Sequence, residues 1–133
     1  MRITKENIHK FIIGGTTMDC DNYGITGIDY IPKGITHLFC YNNSLETLPK
    51  LPNGLIYLSC YNNQLTELPK LPDSLKSLYC INNQLTELPK LPDSLERLNC
   101  NNNNNLPYIV TIDNFKEHNK LIKRKQILSK ICV

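Results

Sequence analysis

Two nearly identical stretches follow each other in the chain, LSCYNNQLTELPKLPDSL at 58–75 and LYCINNQLTELPKLPDSL at 78–95. The second begins twenty residues after the first, and each carries one cysteine at the same place. Five cysteines keep this spacing of twenty: Cys20, Cys40, Cys60, Cys80 and Cys100. A fixed period of this length indicates a solenoid, in which each repeat forms one coil and stacked coils bury a common core.

The repeat unit predicts one short strand and one extended return per coil. Leu58 and Cys60 are two residues apart, so their side chains lie on the same face of a strand. Twenty residues leave no room for a return helix. Prolines such as Pro69 and Pro72 fix φ near −65° and favour a polyproline-II return. We therefore expect parallel strands on one side of the solenoid, an extended chain on the other, and inward-pointing leucines between them.

Written from its leucines, the repeat L-x-x-L-x-C-x-x-N-x-L resembles the leucine-rich repeat. The L-P-x-L-P segment and the short period resemble the shortest class of this family, found in bacterial secreted effectors and in repeat proteins of giant DNA viruses. The resemblance covers residues 18–107 and implies a fragment of a right-handed horseshoe of the α/β type, with four to five coils and a concave parallel sheet. It also implies that an asparagine in each coil bonds to the backbone of the turn after the strand: Asn43, Asn63, Asn83 and Asn103.

The open ends of a solenoid need covers, and the flanking segments supply candidates. Residues 1–17 are expected to form an N-terminal cap with a helix at 4–13, capped by Thr4 and ended by Gly14 and Gly15. The apolar residues expected to face the first coil are Ile8, Phe11 and Ile12.

Residues 108–133 are expected to form a C-terminal cap, with a helix at about 114–130 that Thr111 or Asp113 begins. An apolar side of this helix is predicted from Phe115, Leu121, Ile122, Leu128 and Ile131.

Three interpretations of the cysteine ladder differ in their geometric demands. A tetrahedral zinc site requires sulfur atoms about 3.8 Å apart around one point, whereas stacked strands place equivalent side chains in a line about 4.8 Å apart. Parallel Cβ vectors also disfavour disulfides between neighbouring coils. We expect these thiols to be small buried hydrophobic groups that replace a leucine. Cys132 lies outside the ladder, and its reactivity is left open.

The outward face of the strands is the predicted binding surface. Aromatic residues and one isoleucine recur there over three coils, a composition that protein interfaces favour. The alternative is that the rings only stack across strands and stabilise the sheet. The residues predicted to contact a protein partner are Phe39, Tyr41, Tyr57, Tyr61, Tyr79 and Ile81, flanked by His37, Lys76 and Arg97.

The charges of the chain are unevenly distributed. Residues 1–110 carry nine basic and ten acidic groups, whereas residues 111–133 carry six basic and two acidic groups. A nearly neutral body disfavours a broad nucleic-acid surface, so nucleic acid is not the expected partner. The alternative function is binding of nucleic acid or an anionic surface by the basic C-terminal helix, with its cluster Lys123, Arg124 and Lys125. A solvated helix surface is the favoured interpretation of that cluster.

No catalytic, cofactor-binding or metal-binding constellation stands out in the sequence, so we expect a protein that is not an enzyme. The longest apolar run near the N-terminus, Phe11 to Ile13, is too short for a signal peptide, and no stretch reaches the ~18 apolar residues of a membrane span. These features predict an intracellular, cytoplasmic protein with reduced thiols, in the host cytoplasm if the chain is viral. Neither the partner nor the oligomeric state is encoded in a recognisable way.

Overall fold

The computed structural model describes residues 1–131. Its elements, in chain order, are β1 Arg2–Ile3, a 3-10 turn Ile8–Phe11, β2 Ile12–Ile13, β3 Thr17–Asp19, β4 Gly27–Ile28, β5 His37–Phe39, β6 Tyr57–Ser59, β7 Ser77–Tyr79, β8 Arg97–Asn99 and α1 Phe115–Ile131. The strands β2-β3-β5-β6-β7-β8 form one sheet in this order, and β1 and β4 form a second, two-stranded sheet. The chain is thus a β-solenoid of about four turns.

The strands from β3 to β8 are parallel and in the register that the period of twenty predicts. Leu38 pairs with Leu58, and Leu58 pairs with Leu78. The ladder continues past the strand ends, since the amide of Cys40 donates to the carbonyl of Ser59 at 2.9 Å. Each coil therefore repeats the position of the previous one, which is why the leucines and cysteines of the repeat align into continuous rows.

These rows form a single core between the sheet and the return segments. The leucines of L-x-x-L-P-x-L-P-x-x-L and the five repeat cysteines are all buried. Leu45, Leu65 and Leu85, for example, are 0% exposed. One coil alone could not bury these side chains, so the stacking of coils supplies most of the apolar burial that stabilises the fold.

The return side contains neither helix nor strand between β5 and β8. Each return ends in a tight turn, in which the amide of Leu55 donates to the carbonyl of Pro52 at 3.1 Å and that of Leu75 to Pro72 at 3.1 Å. Ser74 ties neighbouring returns together, because its hydroxyl lies 2.7 Å from the carbonyl of Asn53 and 2.6 Å from that of Leu55. The prediction that twenty residues exclude a return helix is confirmed.

The predicted N-terminal helix at 4–13 is wrong. Only a 3-10 turn, Ile8–Phe11, forms there, and the side chain of Thr4 does not cap it. Instead, β1 pairs with β4, and β2 pairs antiparallel with β3 through a hairpin whose Gly14 and Gly15 have φ of 60° and 74°. Backbone pairing with the first coil replaces the helix, and a helix this short is marginal by itself because its nucleation is costly.

The N-terminal segment nevertheless covers the first coil with two of the three predicted apolar side chains. Ile8 and Phe11 are buried, whereas Ile12 is half-buried and lies in β2. Phe11 also meets the ring of Tyr23 edge-on, with the centroids 5.3 Å apart. The cover of the first coil is therefore a β-hairpin with a preceding turn.

The predicted C-terminal helix forms as α1, but neither Thr111 nor Asp113 caps it with its side chain. The Oδ1 atom of Asn114 accepts a hydrogen bond from the amide of Thr111 at 2.8 Å. The predicted apolar side is only partly packed: Phe115 is buried and Ile122 is half-buried, whereas Leu121, Leu128 and Ile131 are 41%, 55% and 71% exposed. The helix extends beyond the edge of the solenoid, so only its N-terminal turns pack against the coils.

No helix within residues 1–131 combines the length and the apolar character that a crossing of the bilayer requires.

Candidate functional site

The outward side of the six-stranded sheet presents three columns of side chains, one position from each coil per column. The paired strands fix two of the columns, and backbone hydrogen bonds such as that from Asn42 N to Tyr61 O extend the register to the third. The columns are Thr17, His37, Tyr57, Ser77, Arg97; Asp19, Phe39, Ser59, Tyr79, Asn99; and Asp21, Tyr41, Tyr61, Ile81, Asn101. We call this surface the sheet face.

Tyr57 is the central ring of the sheet face. Its centroid lies 5.0 Å from that of Phe39 and 5.6 Å from that of Tyr79, which belong to the next column. It also stacks on His37 at 5.9 Å, with the planes 15° apart. The serine beside it, Ser59, is only 2% exposed. The small side chains of Ser59 and of Ser77, which pairs with Tyr57, leave space for the Tyr57 ring. The neighbouring rings of His37, Phe39 and Tyr79 restrict its rotamers.

A second aromatic pair lies in the third column. The rings of Tyr41 and Tyr61 stack with centroids 4.5 Å apart and planes 4° apart. Ile81 continues the column and, like both tyrosines, is half-buried. The structure therefore places the six central residues that the sequence predicted for a binding surface on the same side of the sheet, in two groups of contacting rings continued by Ile81.

The predicted flanking residues lie at different places on this surface. His37 stacks on Tyr57, whereas Arg97 is exposed at the last coil, in the column of Tyr57. Lys76 is exposed and directly precedes β7, at the rim of the face. Both cations therefore border the aromatic residues.

Sequence reasoning missed the acidic end of the sheet face. Asp19 pairs in register with Phe39, and Asp21 holds the corresponding place beside Tyr41. The amide of Tyr41 donates to Oδ1 of Asp21 at 2.7 Å, and the amide of Asp21 donates to Oδ1 of Asp19 at 3.2 Å. Extension of the twenty-residue register to the degenerate first coil would have found both carboxylates.

The Asp21 carboxyl has a raised pKa. Burial raises it to about 6, the nearby Asp19 carboxylate adds to the rise, and the hydrogen bond from Tyr41 opposes it. Burial also raises the pKa of Tyr57, with further contributions from Tyr79, Tyr61 and Asp21, while Arg97 lowers it. The sheet face is therefore a partly dehydrated surface with a negative and a positive end.

The repeat cysteines line the core. All five are buried and free. Burial raises the pKa of the Cys20 and Cys60 thiols to about 12, so they are neutral hydrophobic groups at physiological pH. Cys100 donates its thiol hydrogen to the carbonyl of Val110 at 3.1 Å. Within residues 1–131, no group of three or more metal-binding side chains is found, and Cys132 lies outside the described residues.

The predicted asparagines connect each coil to the one before it. The Nδ2 group of Asn63 donates to the carbonyls of Cys40 at 2.9 Å and Cys60 at 3.1 Å, while its Oδ1 accepts from Leu45 N at 3.0 Å. Asn43, Asn83 and Asn103 make equivalent bonds to Cys carbonyls. This arrangement satisfies buried backbone groups that a turn would otherwise leave unpaired.

A second asparagine ladder was not predicted. The residue before each of these predicted asparagines has a positive φ, 54° at Asn42 and 56° at Asn62, a conformation that asparagine tolerates better than most residues. The Nδ2 of Asn62 donates to Oδ1 of Asn42 at 2.6 Å, and Asn82 bonds to Asn62 in the same way at 2.7 Å. The N-N pair of the repeat thus has two distinct structural roles.

The C-terminal helix docks on the return side of the last complete coil. His118 is 4% exposed and lies between Tyr108, whose hydroxyl is 2.6 Å from Nδ1, and the Pro89 carbonyl, 3.0 Å from Nε2. Because that carbonyl can only accept, Nε2 carries a hydrogen. The helix therefore begins at a polar anchor.

The basic cluster Lys123, Arg124 and Lys125 lies on exposed turns of α1. Between this helix and the last two returns runs a groove of about 1070 Å³. It is lined by cations such as Lys90 and Lys125, but also by Glu87 and Asp93. The mixed charge of this groove gives no preference for an anionic ligand.

Comparison with solved structures gives a likeness to YopM from Yersinia enterocolitica WA-314, at 32% sequence identity and a TM-score of 0.58. The match covers 64% of this chain and 23% of the YopM chain, so the protein spans less than a quarter of that neighbour. Neither a protein-family model nor a curated protein matches the sequence significantly.

The parallel coils of twenty residues and the likeness to YopM support a fold of the leucine-rich repeat type. This fold is in general that of a protein-interaction module and resembles a non-enzymatic scaffold.

Proposed function

We propose that the protein binds a protein partner through the sheet face. The observation that carries the proposal is the cluster around Tyr57, in which rings from three successive coils contact one another and keep exposed edges. Tyrosine offers a large amphipathic contact at low cost in conformational entropy, and residues of this kind dominate the affinity of many interfaces.

The packing of the rings favours binding because it fixes them before a partner arrives. Neighbouring rings and the small Ser59 and Ser77 restrict Tyr57, so less side-chain freedom remains to be lost on association. Stacking across strands and binding are therefore compatible: the same contacts stabilise the sheet and prepare the surface.

Site-specific photo-crosslinking tests the proposal. A photoreactive phenylalanine analogue at Tyr61, on the sheet face, is compared with the same analogue at Tyr30, which is 38% exposed and follows β4 in the second sheet. We expect a discrete protein adduct in native extract from position 61 and none from position 30. Equal adducts from both positions would contradict the proposal.

The same crosslink is then measured in a Tyr57→Ser background, at a temperature well below the unfolding midpoints of all variants. Loss of a central aromatic anchor commonly costs 2 kcal/mol or more, about 30-fold in affinity. The adduct should therefore fall at least tenfold, while Tyr30→Ser leaves it unchanged. An adduct that survives Tyr57→Ser would place binding elsewhere on the molecule.

No observation in the structure favours the alternative, binding of nucleic acid by α1, and we do not extend the proposal to it.

A further inference from the structure

The sheet face has charges of opposite sign at its two ends, and this polarity defines the chemistry of the partner. We propose that the polypeptide segment bound there places a basic side chain at the Asp19–Asp21 end, an apolar or aromatic side chain over Tyr57, and an acidic side chain at the Arg97 end. This inference rests on the proposed function and specifies the partner for the same surface.

The two ends are separated by the width of the sheet. Asp19 lies in β3 and Arg97 in β8, four strand spacings apart along the order β3-β5-β6-β7-β8. At about 4.8 Å per spacing, the separation is about 19 Å. An extended segment covers this distance with about six residues, at about 3.3 Å per residue.

The carboxylates at the first end are held in place and lack a cationic partner. One oxygen of Asp21 accepts from Tyr41 N and one oxygen of Asp19 accepts from Asp21 N, and the two carboxyl groups lie close enough to share a hydrogen bond when one of them is protonated. The ion pairs within these residues are Arg2–Asp29 and Lys120–Glu117, both away from the sheet face. The acidic end is therefore open to a cation from another molecule.

An aromatic ring beside the acidic end favours a Lys or Arg side chain. Tyr41 neighbours Asp21 across the sheet, and Tyr61 covers one side of the Tyr41 ring at 4.5 Å. The other side of that ring is directed toward the coil of Asp21. A partner cation at this place would combine attraction to the carboxylates with a cation–π contact.

The opposite end has the complementary character. Arg97 and Lys76 are exposed and take part in neither ion pair within residues 1–131, and the neighbouring Asn99 and Asn101 are polar and neutral. The exposed Glu96, whose amide donates to the Lys76 carbonyl, reduces the net charge of this end to +1. A planar guanidinium forms two parallel hydrogen bonds with a carboxylate, so an acidic side chain fits this end best. The order of chemistry along the face is thus acidic, aromatic and basic.

Peptide selection tests this order without knowledge of the natural partner. A phage-displayed library of random twelve-residue peptides is selected on the immobilised full chain. We expect enriched sequences to share a Lys or Arg about six residues from an Asp or Glu, with aromatic or aliphatic residues between them.

Two charge variants, each with a matched control, assign the ends. Asp19→Asn with Asp21→Asn should remove the enrichment for basic residues, whereas Asp73→Asn with Asp93→Asn, on the return side, should not. Lys76→Gln with Arg97→Gln should remove the enrichment for acidic residues, whereas Lys70→Gln with Lys90→Gln should not. For a synthetic copy of the best peptide, each face variant should weaken binding at least tenfold in fluorescence anisotropy.

The outcomes separate this inference from the proposed function. Peptides that require Tyr57 but bind equally well to both charge variants would overturn the inference and leave the proposed function standing. Selected peptides whose binding is insensitive to Tyr57→Ser, or a failure to enrich any peptide, would count against both. A loss of binding in the return-side controls as well would also overturn the assignment of the two ends.

Discussion

Asn63 accepts a hydrogen bond from the backbone amide of Leu45 in the preceding coil, with Oδ1 and the amide nitrogen 3.0 Å apart. Both residues are buried. The side chain of one coil thus completes the backbone of another, and the same relationship joins Asn83 to Leu65 and Asn103 to Leu85. Coil-to-coil cohesion therefore depends on polar contacts as well as on the leucine core.

Replacement of Asn63 by alanine should lower the free energy of unfolding by about 2–4 kcal/mol, because it leaves a buried amide and buried carbonyls unpaired. Chemical denaturation measures the change. The matched control is Gln64→Ala, at an exposed position whose side chain makes no hydrogen bond in residues 1–131, and it should shift stability by less than about 0.5 kcal/mol. Equal effects of both substitutions would show that the asparagine ladder does not stabilise the coils.

Asp21→Asn should stabilise the protein at pH 7. The amide keeps an Oδ1 acceptor for the Tyr41 amide and removes a charge that burial and Asp19 disfavour. Because the carboxylate is half exposed and solvent screens it, we expect a gain of no more than about 1 kcal/mol.

The effect should depend on pH in a defined direction. The pKa of Asp21 is about 6 in the folded chain and 3.8 as its ordinary value, so the folded state binds the proton more tightly. This group's contribution to stability is fully present below about pH 4 and is lost as the pH rises through 6. The advantage of Asp21→Asn should accordingly vanish toward pH 4. A constant advantage from pH 4 to pH 8, relative to Asp73→Asn, would refute the raised pKa.

The repeat thiols should resist labelling in the folded state. With a pKa of about 12 for Cys20 and Cys60, only about one thiol in 10⁴ is ionised at pH 8, and burial blocks access. We expect reaction with an aromatic disulfide reagent only as the chain unfolds in guanidinium. A Cys132→Ser background confines the measurement to the five repeat cysteines. The hydrogen bond with Cys80 lowers the pKa of Cys100, so this thiol is protected by burial alone. Rapid reaction of any of the other four thiols under native conditions would contradict their place in the core.

Asn119→Ala should release the start of α1 from the solenoid. The side-chain amide of Asn119 makes two hydrogen bonds to the backbone of Leu91. Its Oδ1 accepts from the Leu91 amide at 2.8 Å, and its Nδ2 donates to the Leu91 carbonyl at 2.7 Å. Amide hydrogen exchange should accelerate in residues 115–122 and remain slow in the central strands. The control Lys123→Ala, at an exposed position, should leave exchange unchanged, and a uniform acceleration across the chain would instead indicate that the helix is part of the cooperative core.

Prediction from sequence succeeded in the repeats, where several copies of the unit indicate the same local structure. The parity of Leu58 and Cys60 correctly predicts that both point inward, because a strand alternates its side chains and one face must be buried. Copies of the unit removed the ambiguity that a single short apolar run would have left. The parallel register and the helix-free return followed from the same period.

It failed where the repeat ends. Ile3, Thr4 and Ile8 satisfy the pattern of a capped helix, yet backbone pairing with the first coil decides the structure of that segment. The apolar residues of α1 likewise predict that Leu128 is buried, but no surface of the solenoid covers it. Local propensity is a weak guide wherever a tertiary contact offers the backbone better partners.

By itself, the sequence determined the structure of the repeating coil. Leucines, prolines and asparagines recur at fixed positions every twenty residues, and stacked coils bury all of these leucines together. The tertiary structure alone decided which rings contact one another and how the small side chains of Ser59 and Ser77 leave space for Tyr57. The physical reason is that these relationships connect residues about twenty positions apart, so they exist only after the coils have stacked.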